Sequence, residues 1–238
     1  MTFGFTQQPV VCLVPIDTKK PPPLPETVTD LAAPKQARRE FERGLRELGV
    51  GKLEEARKHL EKAVGEDPCY ARAQTALGVT LTRQQQWADA ESASRKSIKC
   101  DGGLLQGYLQ LAVLLKSRKK YPESAAVLEQ GLRQFPHEWR LHCQVGDVET
   151  AVGEYADAEQ AFLKVQALNP ELPAAFHLRL ADVYQKWKKY DKAQAEMEAY
   201  LRADPNGQFA QATRTALREM QASGLASNVL SKTDQGKP

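Results

Sequence analysis

The sequence predicts an all-α protein built as a solenoid of helical hairpins. The first observation is a fixed period, because Pro68, Gly102, Pro136 and Pro170 follow one another at intervals of 34 residues and Pro205 follows 35 residues later. The second is that each interval holds two short patterns of apolar residues three and four positions apart, as on one face of a helix. The third is a small residue at a fixed place in each pattern. A repeat of this length stacks hairpins so that each buries its apolar side against the next.

The small residues form two ladders through the predicted hairpins. A small side chain at a fixed place lets two helices approach closely, and a bulky residue there would cost roughly 1–3 kcal/mol. The first helices contribute Gly44, Gly78, Ala112, Gly146 and Ala181. The second helices contribute Ala56, Ala90, Ser124, Ala158 and Ala193.

An aromatic residue stands at the start of four of the second helices, at Trp87, Tyr121, Tyr155 and Tyr190. Together with the ladders and the closing prolines, this pattern resembles the tetratricopeptide repeat family, and in particular its bacterial members. The resemblance implies a right-handed helical-hairpin solenoid of five repeats plus a C-terminal capping helix. The implied repeats are 37–68, 71–102, 105–136, 139–170 and 174–205, with the cap at 207–222 and the whole solenoid at 35–222.

The first two repeats depart from the family pattern. Glu40 and Arg43 stand where the family prefers large apolar residues. Ser94 and Ser97 stand where it has an aromatic residue and an alanine. We therefore expect the packing of these hairpins to differ in detail from that of the family.

The two ends of the chain lack the helical period. Residues 1–34 contain the run Lys19 to Pro25, which favours polyproline II, and we predict a disordered segment there. The alternative is that Val10 to Ile16 folds back onto the repeats as an extended strand. Residues 223–238 are predicted to be a flexible tail.

Composition narrows the classes of function. The formal net charge of +3 is too small to indicate nucleic-acid binding without a clustered basic patch. No run approaches the 18 apolar residues of a membrane span, so none is predicted. This sequence shows no signal peptide, which favours the cytoplasm. Its N-terminal part resembles the lead-in of exported bacterial repeat proteins, and a missing upstream signal peptide would place the protein in the periplasm instead.

The four cysteines are Cys12, Cys69, Cys100 and Cys143. No two of them have Cys-x-x-Cys spacing, so the sequence supports neither a zinc site nor a redox motif. We interpret their even number as chance.

No catalytic constellation is visible. The histidines His59, His137, His142 and His177 are scattered, and no metalloprotease, nucleophile-elbow or phosphate-loop motif occurs. The sequence therefore predicts no enzyme, no metal site and no cofactor.

The resemblance implies that the first helices line a concave groove. Cys143 is among the residues that it points inward. The implied apolar strip comprises Phe41, Leu45, Val79, Leu109, Val113 and Leu178. The implied charged residues beside it are Arg38, Arg72, Arg83, Lys116, Arg140, Asp147 and Asp182. A strip of this kind predicts binding of a helical or extended peptide of another protein, with acidic flanks to suit the basic border.

The residues at five positions disfavour one binding specificity of the family, the capture of a chaperone C-terminus. Chaperone-binding relatives hold a C-terminal carboxylate with Lys, Asn and Arg side chains. The corresponding places here hold Phe41, Leu45, Ala76, Gln106 and Gln110. The carboxylate clamp is therefore absent.

The leading hypothesis is a non-catalytic protein–protein interaction scaffold that binds a peptide or helix in the groove. The alternative is a structural subunit that assembles through the convex or end surfaces. An enzyme or a nucleic-acid binder is the remote alternative.

Overall fold

The computed structural model describes residues 32–225. This part of the chain folds into eleven α-helices with one short 3-10 turn and contains no β-strand. The helices are α1 (Lys35–Gly49), α2 (Leu53–Glu66), α3 (Ala71–Arg83), α4 (Trp87–Cys100), α5 (Leu105–Ser117), α6 (Tyr121–Gln134), α7 (Trp139–Val152), α8 (Tyr155–Leu168), α9 (His177–Lys186), α10 (Tyr190–Ala203) and α11 (Ala210–Ala222). The prediction of an all-α helical-hairpin repeat fold is confirmed.

The two predicted terminal segments, 1–34 and 223–238, lie almost wholly outside the described residues. The alternative strand at Val10 to Ile16 lies entirely outside them.

The chain divides into two compact units after Val148. In the unit that contains residues 32–148, α1 packs on α2, α3 on α4 and α5 on α6. The first helices also contact one another directly, α1 against α3 and α3 against α5. Successive hairpins are therefore in contact along a row of first helices.

The second unit contains residues 149–225. Here α9 packs on α8 and α10, and α11 packs on α10. The 3-10 turn Ala174–Phe176 lies against both α9 and α10. The extra residue in the sequence near Leu172 and Pro173 thus falls just before this turn.

Both ladders of small residues are buried throughout. At Gly44 an added Cβ would lie 2.6 Å from Leu60 Cγ and 3.3 Å from the carbonyl oxygen of Ala56. At Gly78 it would lie 2.6 Å from Ser94 Oγ. The first and second helices of these two hairpins come too close for a larger side chain at either glycine.

The turn inside each hairpin holds one residue with positive φ. These residues are Gly51 (80°), Gln85 (61°), Lys119 (58°), Gly153 (92°) and Lys188 (60°). The left-handed region that they occupy is unfavourable for residues other than glycine. The same turn conformation therefore recurs in every repeat, as the sequence pattern does.

The buried serine hydroxyls of the second repeat donate hydrogen bonds to backbone carbonyl groups. Ser94 Oγ donates to the carbonyl of Ala90 at 2.8 Å, and Ser97 Oγ donates to the carbonyl of Ala71 at 2.9 Å. The hydroxyls of Thr75 and Ser97 are 2.7 Å apart. A polar contact between α3 and α4 takes the place of the apolar contact that the family pattern has there.

Glu40 also replaces an apolar residue and is 3% exposed. Its carboxylate accepts a 2.8 Å hydrogen bond from Arg43 Nη1, and His59 Nδ1 lies 2.7 Å from its Oε2. The hydrogen bond with His59, helped by the charge of Arg43, holds the pKa of Glu40 below its ordinary value although burial opposes this.

The interpretation of the even number of cysteines as chance was wrong. Cys69 and Cys100 form a disulfide with a Cα–Cα distance of 5.2 Å. Two antiparallel helices of nearly equal length return the chain to its starting level, so the residue near the start of α3 meets the end of α4. Cys143 is disulfide-bonded as well. Neither pairing has a signature in the local spacing of cysteines.

Candidate functional site

The first helices α1 and α3 meet through an aromatic and cationic cluster. The ring centroids of Phe41 and Tyr70 are 5.0 Å apart. The guanidinium carbon of Arg72 lies 5.2 Å from the centroid of the Phe41 ring. Arg83, at the other end of α3, donates from Nη1 to the carbonyl oxygen of Leu48 at 3.5 Å. Arg72 and Arg83 thus contact the neighbouring first helix.

The contact between α3 and α5 includes a polar pair. Gln110 Nε2 donates to Thr82 Oγ1 at 3.1 Å. Thr82 hydroxyl in turn donates to the carbonyl of Gly78 at 2.7 Å, within its own helix. This pair fixes the level at which α3 and α5 lie side by side.

The contact between α5 and α7 includes an ion pair. Lys116 Nζ donates to Asp147 Oδ2 at 2.6 Å and to Gln144 Oε1 at 3.1 Å. The Asp147 side chain is 7% exposed and that of Lys116 is 25% exposed. Both residues were predicted from the sequence, and the structure brings them together.

Half-buried apolar residues lie on the same helix faces as these contacts. Leu109, Val113 and Lys116 are spaced by four and three residues, so they share one face of α5. Val79 lies seven residues after Arg72 on α3, again on one face. Leu45 lies on α1, beside the cluster that contains Phe41. We call this surface the first-helix face; it comprises Leu45, Arg72, Val79, Arg83, Leu109, Val113, Lys116, Arg140, Cys143 and Asp147.

Two residues of the predicted apolar strip lie in the core instead. Phe41 is 5% exposed because Tyr70 and Arg72 cover its ring. Leu178 is 1% exposed in a cluster with Tyr200 and Ala210. Both pack between helices, where the apolar stripe of an amphipathic helix has its usual place. They are therefore not part of the first-helix face.

Asp182 lies in the other unit. Its carboxylate pairs with Lys186 Nζ at 2.7 Å, one turn further along α9. We do not include it in the first-helix face, which is confined to residues 32–148.

The predicted basic border is partly neutralised within the chain. Arg140 donates to Glu138 from Nε at 2.6 Å and from a terminal guanidinium nitrogen at 2.9 Å. Burial would raise the pKa of Glu138, but these hydrogen bonds outweigh it and the pKa is lowered. With Lys116 facing Asp147, charges of both signs lie at the α5 and α7 end of the face. Arg38 is exposed and extends the cationic surface at the α1 end.

Three of the described histidines, His59, His142 and His177, have structural partners. His177 Nδ1 lies 2.7 Å from Glu196 Oε2, which repeats in the last hairpin the contact between His59 and Glu40. His142 Nε2 lies 3.0 Å from the carbonyl oxygen of Pro136. No group of three or more His, Cys, Asp or Glu side chains within residues 32–225 is placed to hold a metal ion. In the same range no helix is long and apolar enough to cross a membrane.

Stacked helical hairpins with a row of first helices define this protein as an α-helical repeat protein. Residues 41–103 and 109–173 match one model of the tetratricopeptide repeat, and residues 174–206 match a second. The chain belongs to the tetratricopeptide repeat family. Members of this family are generally scaffolds for protein–protein interactions.

Among individual proteins, the chain is similar to the Type IV pilus assembly protein PilF of Pseudomonas aeruginosa. The two are 27% identical over 177 residues, which cover 74% of this chain and 69% of PilF. A solved structure of Pseudomonas aeruginosa PilF has a TM-score of 0.65 at 24% identity, with 79% of this chain and 88% of that chain covered.

Two further solved structures share the fold. A tetratricopeptide repeat protein of Parabacteroides merdae has a TM-score of 0.68 at 17% identity, with 79% of this chain and 75% of that chain covered. A chain of the Cut9–Hcn1 hetero-tetramer of the APC/C has a TM-score of 0.65 at 21% identity. The alignment covers 80% of this chain but only 38% of that one. At these identities the similarity shows the fold.

Proposed function

We propose that the protein is a non-catalytic interaction scaffold and that its first-helix face binds a peptide segment or a helix of a partner protein. The observation that carries the proposal is the row of half-buried apolar side chains at Leu45, Val79, Leu109 and Val113. They lie along helices that contact one another, so one extended or helical segment could cover them together. Burial of apolar area contributes roughly 25 cal/mol per Å², which makes such a row a source of binding free energy.

The charges beside the row define the partner further. Arg38, Arg72 and Arg83 lie at the α1 and α3 end, whereas Lys116 faces Asp147 at the α5 and α7 end. We therefore propose a partner segment that is apolar in its centre and acidic at the end that lies over α1 and α3.

A comparison of two surface variants tests the proposal. Val79→Glu with Val113→Glu places two carboxylates in the row at equivalent places of successive repeats. Val50→Glu with Leu225→Glu is the matched control, because these residues are 69% and 39% exposed and lie outside the first helices. Affinity capture from an extract of the source cells, analysed by mass spectrometry, should recover a partner with the wild type and the control only. Recovery of the same partner with the first variant, at unchanged helicity, would reject the proposal.

A second candidate is an assembly subunit of a larger protein machine. The similarity to a pilus assembly protein favours it. The exposed apolar residues Val152 (47%) and Leu163 (43%) offer contact points outside the first-helix face. Light scattering over a range of concentrations would favour this function if the mass rises with concentration for the wild type and not for Leu163→Glu.

The disulfides favour the exported alternative for the compartment. Cys69 lies at the surface, so a reducing cytosol would have access to its bond with Cys100. We propose that the protein works in an oxidising compartment. Alkylation of intact cells followed by mass spectrometry tests this, because unmodified, oxidised Cys69 is expected and alkylated Cys69 would contradict it.

A further inference from the structure

Cys143 carries a disulfide on the first-helix face. The residue lies in α7, is disulfide-bonded and is 0% exposed. Asp147 follows one helical turn later, so both side chains share the same face of α7. Asp147 meets Lys116 of α5, as described above. The bonded sulfur therefore lies where α5 and α7 adjoin.

Cysteine counting identifies its partner. The chain has four cysteines, and Cys69 and Cys100 bond each other. Within one chain this leaves Cys12 for Cys143. We propose that Cys12 bonds Cys143 and so ties the N-terminal part of the chain to α7.

The connecting chain is long enough for this contact. Residues 13–34 separate Cys12 from the start of α1 at Lys35, and at about 3.3 Å per residue they reach up to about 70 Å. Adjacent packed helices lie about 10 Å apart, so the three steps from α1 to α7 cover only about 30 Å. The connecting chain can therefore span more than the distance that the bond requires.

When the bond forms, two thiols lose two protons and two electrons, and a disulfide-bearing thiol oxidant is reduced to its dithiol. The bond does not rest on the proposed function.

Mapping of the disulfides in the full-length protein tests the bond. The protein is alkylated without reduction, digested and analysed by mass spectrometry. A peptide that joins Cys12 to Cys143 is expected in the wild type and in the matched control Cys69→Ser with Cys100→Ser. It should be lost in Cys12→Ser, where Cys143 becomes alkylated. An alkylated Cys143 in the wild type, or a Cys143 bond to a second chain seen as a dimer on a non-reducing gel, would overturn the proposal.

Discussion

Lys116 Nζ lies 2.6 Å from Asp147 Oδ2 and so joins α5 to α7 at one end of the first-helix face. The lysine ends one first helix and the aspartate lies in the middle of the next. The cation that the sequence assigns to a binding border therefore also holds two repeats together.

Replacement of this lysine should weaken the fold. Exposed ion pairs contribute roughly 0.2–1 kcal/mol and the loss of one partner of a buried pair costs roughly 3–5 kcal/mol, so the half-buried Lys116→Met should cost about 1–3 kcal/mol. Urea unfolding measures the loss, with exposed Lys96→Met on α4 as the control. Equal stabilities of the two variants would show that the ion pair does not join the repeats.

Two glycines of one hairpin should respond to alanine with opposite signs. Gly44→Ala places a Cβ 2.6 Å from the buried Leu60 side chain and should destabilise by about 1–3 kcal/mol. Gly65→Ala meets no atom within 4 Å and should stabilise by about 0.4–1 kcal/mol, because alanine restricts the unfolded chain. Thermal unfolding of both variants checks the contrast. A stable Gly44→Ala would mean that α1 and α2 can move apart at little cost.

The left-handed turn positions predict a reciprocal pair of substitutions. Gly51 has a φ of 80° and open space around it, so Gly51→Ala should cost about 1–2 kcal/mol through conformation alone. Lys119→Gly at the equivalent place of the third repeat should be neutral or stabilising, because it relieves the same strain at a φ of 58°. Chemical unfolding measures the free energy of unfolding of both variants. An equal loss of stability in the two would show that the lysine side chain has a role in the turn.

The stability that Glu40 contributes should depend on pH. A carboxyl whose pKa is lowered on folding stabilises the protein above its ordinary pKa of 4.5, and this contribution is lost as the pH falls through the lower folded value. Glu40→Gln should therefore cost roughly 1.5–3 kcal/mol at pH 7, the range for a hydrogen bond to a charged group. The difference from the wild type should shrink below pH 4.5. A difference that is constant from pH 7 to pH 3 would rule out the ionised carboxylate as its source.

The sequence predicts the fold well because the same residue pattern occurs in every hairpin. Gly44, Gly78 and the prolines at the ends of the hairpins each signal the same packing, so a departure such as Ser97 changes the pattern at one place only. Each hairpin is formed by local contacts, which sequence periodicity describes directly.

The candidate site is harder to predict because it depends on pairs of residues from different repeats. The helical spacing that places Leu109 and Val113 on a face also places Phe41 and Leu178, and only the packed structure shows that the latter two are buried. The same limit applies to the disulfide of Cys69 and Cys100, since these residues are 31 apart and meet only when α3 and α4 fold back on each other.

The most direct test of binding through the first-helix face is amide hydrogen exchange of the protein with and without its captured partner. The account predicts slower exchange in α3 and α5 on binding, with α4 and α6 unchanged. Slower exchange confined to α4, α6 or the last two helices would contradict it and favour assembly through other surfaces.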